Sequence, residues 1–318
     1  MLCNGTPSLV KDKFIYKILD KAYQKFNVEL EEMTIESNPK TLNRNKLLKY
    51  KEMGINRISM GVQSLDNRIL KDIGRIHNVE DFMNTYYLIK EIGFKNINAD
   101  IMFNLPDQTL ENMLDTLKKI VKLDIPHISF YSLKLEEQTE FYKRYLEGKL
   151  NLPNEDIERD MYHKGIELLE LNDIYQYEIS NFAKKGFECK HNVYYWALKP
   201  YIGLGISSHS NMFDKRWGNT TDYNIYKKNI INNKFPIEDT EIIDKDTKML
   251  EYMILGLRLK EGISEVKFKQ KFNNDIYDVF GKAIKCNESH YLLKRVGHNI
   301  CLTKKGFDLS NIVFKEFI

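Results

Sequence analysis

Six positions in the first third of the chain could together hold one charged ligand: Gly5, Thr6, Glu36, Gln63, Arg75 and Asp100. A carboxylate can accept hydrogen bonds from a ribose diol. A guanidinium can hold a carboxylate by two parallel bonds. A glycine turn opens main-chain groups to an ammonium or a carboxylate. The set suits a zwitterion that carries a ribose. Taken singly these residues say little: Glu36 reads as a capping or surface carboxylate, and Arg75 as half of a surface pair. Their weight comes from a shared place at strand ends, with Tyr131 in a neighbouring strand. A second stretch, 175–210 (YQYEISNFAKKGFECKHNVYYWALKPYIGLGISSHS), is dense in aromatic and hydrogen-bonding side chains. A loop of that kind is more often functional than a bare connector. The plain alternative is an aromatic plug in which His191 and Asn192 satisfy buried backbone groups.

To converge, the six residues must lie at the carboxyl ends of adjacent parallel strands, where α/β sheets bind ligands. The pattern predicts strands over 33–36, 57–61, 96–101, 127–133 and 175–180, with a stub at 1–3. Helices fall between them, over 15–26, 41–54, 109–123 and 154–171. Asp66 and Asn78 cap two more, with Gly74 and Gly93 as stops. Residues 4–7 form a turn. Strands alternating with helices imply parallel βαβ units. Five strands and a stub are too few for a closed eight-fold barrel, which leaves an open, partial (β/α) barrel or a twisted parallel sheet. The organisation expected is a barrel domain over 1–210, a connector over 211–245 rich in Asn, Lys and Asp, and an accessory domain over 246–318. There, helices and a hairpin around Gly297 suggest a small winged-helix-like fold.

Composition narrows the class. Of 318 residues, 42% are hydrophobic and 29% charged, which suits a soluble protein with a real core. A formal net charge of +3 gives no strong field for nucleic acid or membrane. The four cysteines (Cys3, Cys189, Cys286 and Cys301) have neither zinc nor redox spacing, and so few in so long a chain points to a reducing, cytoplasmic compartment. No run has the length of a membrane span and no signal peptide opens the chain.

Seven short motifs then occur in order: NGTPS from Asn4, IESNP from Ile35, RISMGVQS from Arg57, GRIH from Gly74, DIMFNLPDQT from Asp100, YEISNF from Tyr177 and HNVYYW from His191. With them the chain resembles, over essentially its whole length, the HemW heme-chaperone family. These are radical S-adenosylmethionine (SAM) proteins related to oxygen-independent coproporphyrinogen III oxidase. The resemblance implies a partial (β/α)6 radical-SAM-type barrel, here lacking its first strand, with SAM bound by Gly5, Thr6, Glu36, Gln63, Arg75 and Asp100. It implies heme handling by the motif spanning His191, Tyr195 and Trp196. A tetrapyrrole wants a flat aromatic wall, an axial imidazole and cations for its propionates. Tyr194, Tyr195 and Trp196 offer the wall, and Lys184, Lys185, Lys190 and Lys199 the cations. His191 offers the metal ligand, with His209 as a second candidate; His191 as a structural hydrogen-bonder is the alternative.

The sequence departs from the family at one chemical point. The Cys-x-x-x-Cys-x-x-Cys that binds a [4Fe–4S] cluster is missing, and Cys3 cannot replace three thiolates. Asn104 and Asp107 also stand where the family usually has glycine. The expectation is an N-terminally truncated member whose cysteines are encoded upstream; the alternative is a degenerate member that binds without radical chemistry. The functions implied are a carrier delivering heme to membrane or respiratory apoproteins, or a radical SAM porphyrinogen decarboxylase of the coproporphyrinogen oxidase kind. The His-Asn-x-x-Tyr-Trp motif favours the carrier. Nucleic-acid binding through the C-terminal end is disfavoured, since its lysines are interrupted by acids. Oligomeric state is open.

Overall fold

A computed structural model describes residues 1–3 and 5–318, so the turn expected at 4–7 lies partly outside the described residues, at Asn4. The chain divides into two compact units, Met1–Cys189 and Lys190–Ile318. The division falls just ahead of His191, whereas a barrel reaching residue 210 was expected.

The first unit runs α1 (Asp12–Lys25), β1 (Thr34–Ser37), α2 (Arg44–Glu52), β2 (Arg57–Gln63), α3 (Asn67–Asp72), α4 (Val79–Ile92), β3 (Asn96–Phe103), α5 (Leu110–Lys122), β4 (His127–Ser132), α6 (Glu140–Leu146), α7 (Glu155–Glu170), β5 (Tyr175–Glu178) and β6 (Asn181–Ala183). Local chemistry sets many of these bounds. Asn78 and Asp81 close a capping box on α4, and Gly93 ends that helix in the left-handed region at φ 88°. Thr109 and Asn112 do the same for the start of α5, whose Met113, Thr116, Leu117 and Ile120 recur on one buried face.

Among the described residues the strands form one six-stranded sheet in the order β1-β2-β3-β4-β6-β5. β1 to β4 are parallel, as the βα alternation implied. The stub is also present: Leu2 bridges Ile35 in parallel beyond β1. The last strand differs from expectation. β5 runs in the same direction as β1 to β4 but does not pair with β4; the chain turns at Ile179–Ser180 and returns as β6, which lies between them and is antiparallel to both. A two-residue link cannot make a parallel crossover, which needs a dozen residues or more. Helices cover one sheet face, where Ile35, Ile58, Met60, Ile97, Ile101, Ile128, Phe130 and Phe182 are fully buried. α7 approaches β4 so closely that a Cβ on Gly165 would lie 2.5 Å from Phe130, so only glycine fits there. Asn104 and Asp107, the replacements for family glycines, hold positive φ of 59° and 54°, a conformation that Asn and Asp tolerate best after Gly.

The second unit starts with α8 (Lys190–Trp196), a helix inside the stretch expected to be a loop. β7 (His209–Met212), β8 (Lys215–Asn219), α9 (Tyr223–Ile231) and β9 (Ile237–Ile242) follow. The three strands form an antiparallel sheet, so 211–245 is a built element and not a connector. Its polar composition misled because α9 and β9 bury no side chain. Next come α10 (Lys245–Gly256), β10 (Ile263–Ser264), α11 (Glu265–Phe272), α12 (Ile276–Ser289), β11 (Leu293–Val296), β12 (Asn299–Leu302), α13 (Lys304–Asp308) and α14 (Ser310–Lys315). The β11–β12 hairpin joins β10 in a small sheet, matching the helices-plus-hairpin pattern. Phe268 and Phe272, with Tyr252 and Phe280 against them, make that region's aromatic core.

Candidate functional site

Gly5, Thr6, Glu36, Gln63, Arg75 and Asp100 line one open cavity of about 280 Å³ in the first unit, together with Ser37, Asn38, Ser59 and Gly61. Parallel register brings them together. Glu36 pairs with Ser59, and Gly61 with Asp100, across three adjacent strands. Side chains two apart on a strand share a face, so 57, 59 and 61, 96, 98 and 100, and 127, 129 and 131 all face the same way, opposite the apolar core.

Arg75 is held in place by two acceptors. Its Nη2 donates to Asn38 Oδ1 at 2.5 Å and to the Gly61 carbonyl at 2.8 Å. Asn38 in turn donates from Nδ2 to Thr6 Oγ1 at 3.1 Å. Asn38 therefore ties the Gly-Thr turn to the guanidinium. The cradle needs a glycine at 61, since an added Cβ would lie 2.7 Å from Arg75 Nη2 and 2.8 Å from Asn38 Oδ1. Gln63 follows a bulge in β2 and sits at φ 68°, a sparsely populated conformation for a residue with a side chain. Tyr131 donates to its Oε1 at 3.3 Å.

Burial dominates the electrostatics of the cavity. Burial raises the Asp100 pKa, against the opposing pull of hydrogen bonds from Asn98 and Ser129 and of Arg57 and Arg75. Burial lowers that of Arg75, with Tyr131 and Asp100 acting the other way. Burial and the Asp100 charge together push the Tyr131 hydroxyl well above its ordinary range. A ligand with a cationic centre and a diol would relieve the carboxylates, and a ligand carboxylate would relieve Arg75.

The remaining sequence-predicted residues lie in the second unit. On α8, the His191 and Tyr195 rings pack with centroids 4.7 Å apart, and Tyr195 packs on Tyr201 at 4.4 Å. Tyr194, Tyr195 and Trp196 do not make one wall, because consecutive helical residues point about 100° apart. Tyr194 carries Lys199 over its ring at 4.1 Å. Trp196 instead lies under the Arg258 guanidinium at 4.3 Å. His191, Tyr195 and Tyr201 instead form a tilted ring cluster, with interplanar angles of 57° and 32°, and Tyr201 is the member the sequence did not single out. His209 is exposed on β7. Lys184 belongs to the first unit, where it pairs with Asp124.

The ring cluster offers an imidazole beside two phenol rings, and the polar cavity offers two carboxylates, a guanidinium and an amide. The [4Fe–4S] cluster does not fit. Cys3 is exposed, Cys189 buried, Cys286 half-buried and Cys301 buried, and among the described residues no three His, Cys, Asp or Glu gather as metal ligands. No helix among the described residues is long and apolar enough to cross a membrane.

Comparison with known proteins bears on the family and the fold. The Radical SAM superfamily pattern matches residues 1–120, and the HemN C-terminal domain pattern matches residues 243–309. The heme chaperone HemW of Bacillus subtilis is 35% identical over 316 residues, 99% of this chain and 83% of the relative. That of Lactococcus lactis is 36% identical over 315 residues, with the same shares. The structure of coproporphyrinogen III oxidase (HemN) from Escherichia coli, described as a radical SAM enzyme, superposes with a TM-score of 0.84 over 98% of this chain and 76% of that one, at 20% identity. That likeness concerns the fold.

Proposed function

This chain belongs to the HemW heme-chaperone family, and from that premise we propose that it carries heme on α8 and binds SAM in the polar cavity of its first unit. Heme as the cargo follows from what the relatives are named for. The observation that supports it here is the His191–Tyr195–Tyr201 cluster, an imidazole packed on one tyrosine ring that packs in turn on a second. SAM is supported by the convergence of the six cavity residues. Glu36 and Asp100 are placed to accept from ribose hydroxyls, Arg75 to hold the methionine carboxylate, and Gly5 and Thr6 to meet the amino-acid end. When bound, SAM would supply a sulfonium cation and an adenosyl group.

The role proposed for this polypeptide's own residues is to bind and orient SAM and to hold heme for heme-accepting apoproteins in the cytoplasm. The decarboxylase reading is the weaker one. The likeness to that enzyme is 20% in sequence, against 35% and 36% for the chaperones.

Hemin titration followed by optical spectra tests the heme half. Wild type should give a coordinated-heme band that His191→Ala abolishes; an unchanged spectrum in the variant removes His191 as the ligand. Calorimetric titration with SAM tests the other half, and no heat above buffer with the folded chain would reject it.

A further inference from the structure

Behind the cavity, four buried or half-buried polar residues form a connected series that the binding set does not include. Asn98 is 1% exposed and His127 fully buried. Asn98 Nδ2 donates to Asp100 Oδ1 and to Ser59 Oγ, both at 2.7 Å. His127 Nδ1 lies 2.6 Å from Asn98 Oδ1, and its Nε2 lies 2.9 Å from the Tyr177 hydroxyl. The backbone amide of Cys189 donates to that hydroxyl at 3.3 Å.

The proton positions follow from one end. An ionised Asp100 can only accept, so Asn98 must turn its amide nitrogen toward it. That leaves Asn98 Oδ1 facing His127, so His127 Nδ1 carries the proton. Nε2 must then accept from the Tyr177 hydroxyl, which accepts from Cys189. Every donor points the same way, from Cys189 toward Asp100. Burial lowers the His127 pKa well below its ordinary value, which keeps the ring neutral and the series intact. Ser129 Oγ also lies 3.2 Å from Asn98 Oδ1.

We infer that Asn98, His127 and Tyr177 are positioning residues for ribose recognition: by this one-way series they fix the Asp100 carboxylate against the cavity it lines. None of the three lines that cavity; each acts through Asp100. The inference rests on the SAM reading proposed above. It also gives Tyr177 a role in the first unit, separate from heme handling.

The test compares SAM with its 2′,3′-dideoxy analogue, using the full chain, wild type and three variants. Wild type should prefer SAM by about tenfold or more, the worth of a hydrogen bond to a charged group. Asn98→Ala and His127→Phe should lower SAM affinity about tenfold and leave the analogue within about twofold, so that the preference collapses. Tyr177→Phe, which removes one oxygen and is the variant most certain to fold, should lower the preference a few-fold. Nitrogen-15 spectra of the imidazoles supply a readout that plain destabilisation would not move: His127 should be the Nδ1–H tautomer in wild type and lose that bias in Tyr177→Phe. Equal weakening of both ligands, an unchanged preference in all three variants, or an Nε2–H tautomer in wild type overturns the inference while SAM binding stands. A wild type that binds no SAM overturns both.

Discussion

The two faces of the six-stranded sheet are built from the same strands and have opposite characters. On one, Ile35, Ile58, Met60, Ile97, Ala99, Ile101, Ile128 and Phe130 have no exposed surface at all. On the other, Glu36, Ser59, Gly61, Asn98, Asp100, His127 and Ser129 build a hydrogen-bonded floor to an open cavity. The apolar face contributes most of the stability, roughly 1.5–3 kcal/mol for each large side chain fully buried. The polar face contributes less and stores unfavourable features: a bulge, Gln63 at positive φ, and a carboxyl with a raised pKa. The lesson is a division of labour within single strands, set by residue parity.

That division can be broken from either side. Phe130→Ala should have the largest effect. Phe130 is fully buried against Phe103, with ring centroids 4.6 Å apart, and against Gly165 of α7. The loss should be about 3–5 kcal/mol in urea unfolding, with SAM affinity of the folded fraction unchanged. A fall in affinity larger than the fall in folded fraction would mean that the faces are not separable. Gly61→Ala acts on the other side. Its Cβ would displace Arg75 and Asn38, so calorimetry should show SAM affinity down tenfold or more, with about 1–3 kcal/mol of stability lost. Retained affinity would show that the Arg75 cradle does not matter to binding.

Asp100→Asn should have the smallest effect on stability, and the opposite sign. A carboxyl whose pKa is higher folded than unfolded makes the folded state bind more protons, so stability falls as pH rises between the two values. Above both, the penalty is fully present. The Asn variant should therefore be more stable at neutral pH, lose part of the pH slope above about pH 4, and bind SAM poorly. Equal stability of the two proteins across that window would show that the polar face carries no such cost.

Much of this was legible in the residues. The strand ends of β1 to β3 could be placed from Glu36, Gln63 and Asp100, because periodicity and caps mark parallel βα units. Asn98 and His127 were missed, although Asn96-x-Asn98-x-Asp100 and His127-x-Ser129-x-Tyr131 carried the signal: polar residues at every second position of strands otherwise rich in Ile and Phe. The β5–β6 turn was hidden because the Tyr and Ile residues of 175–180 read as one strand. α8 was hidden because Tyr, Val and Trp favour strands and loops, and tertiary packing of Trp196 under Arg258 overrode that preference.

The sequence by itself determined the alternation of helix and strand, the family motifs and the residue types of the ligand set, since these depend on neighbours a few positions away. Only the tertiary structure decided which of those side chains meet. Strand register is a pairing between segments tens of residues apart, and a shift of one residue would send Asp100 and His127 to the apolar face. The direction of the hydrogen-bonded series, from Cys189 through Tyr177, His127 and Asn98 to Asp100, exists in that register and in no local pattern.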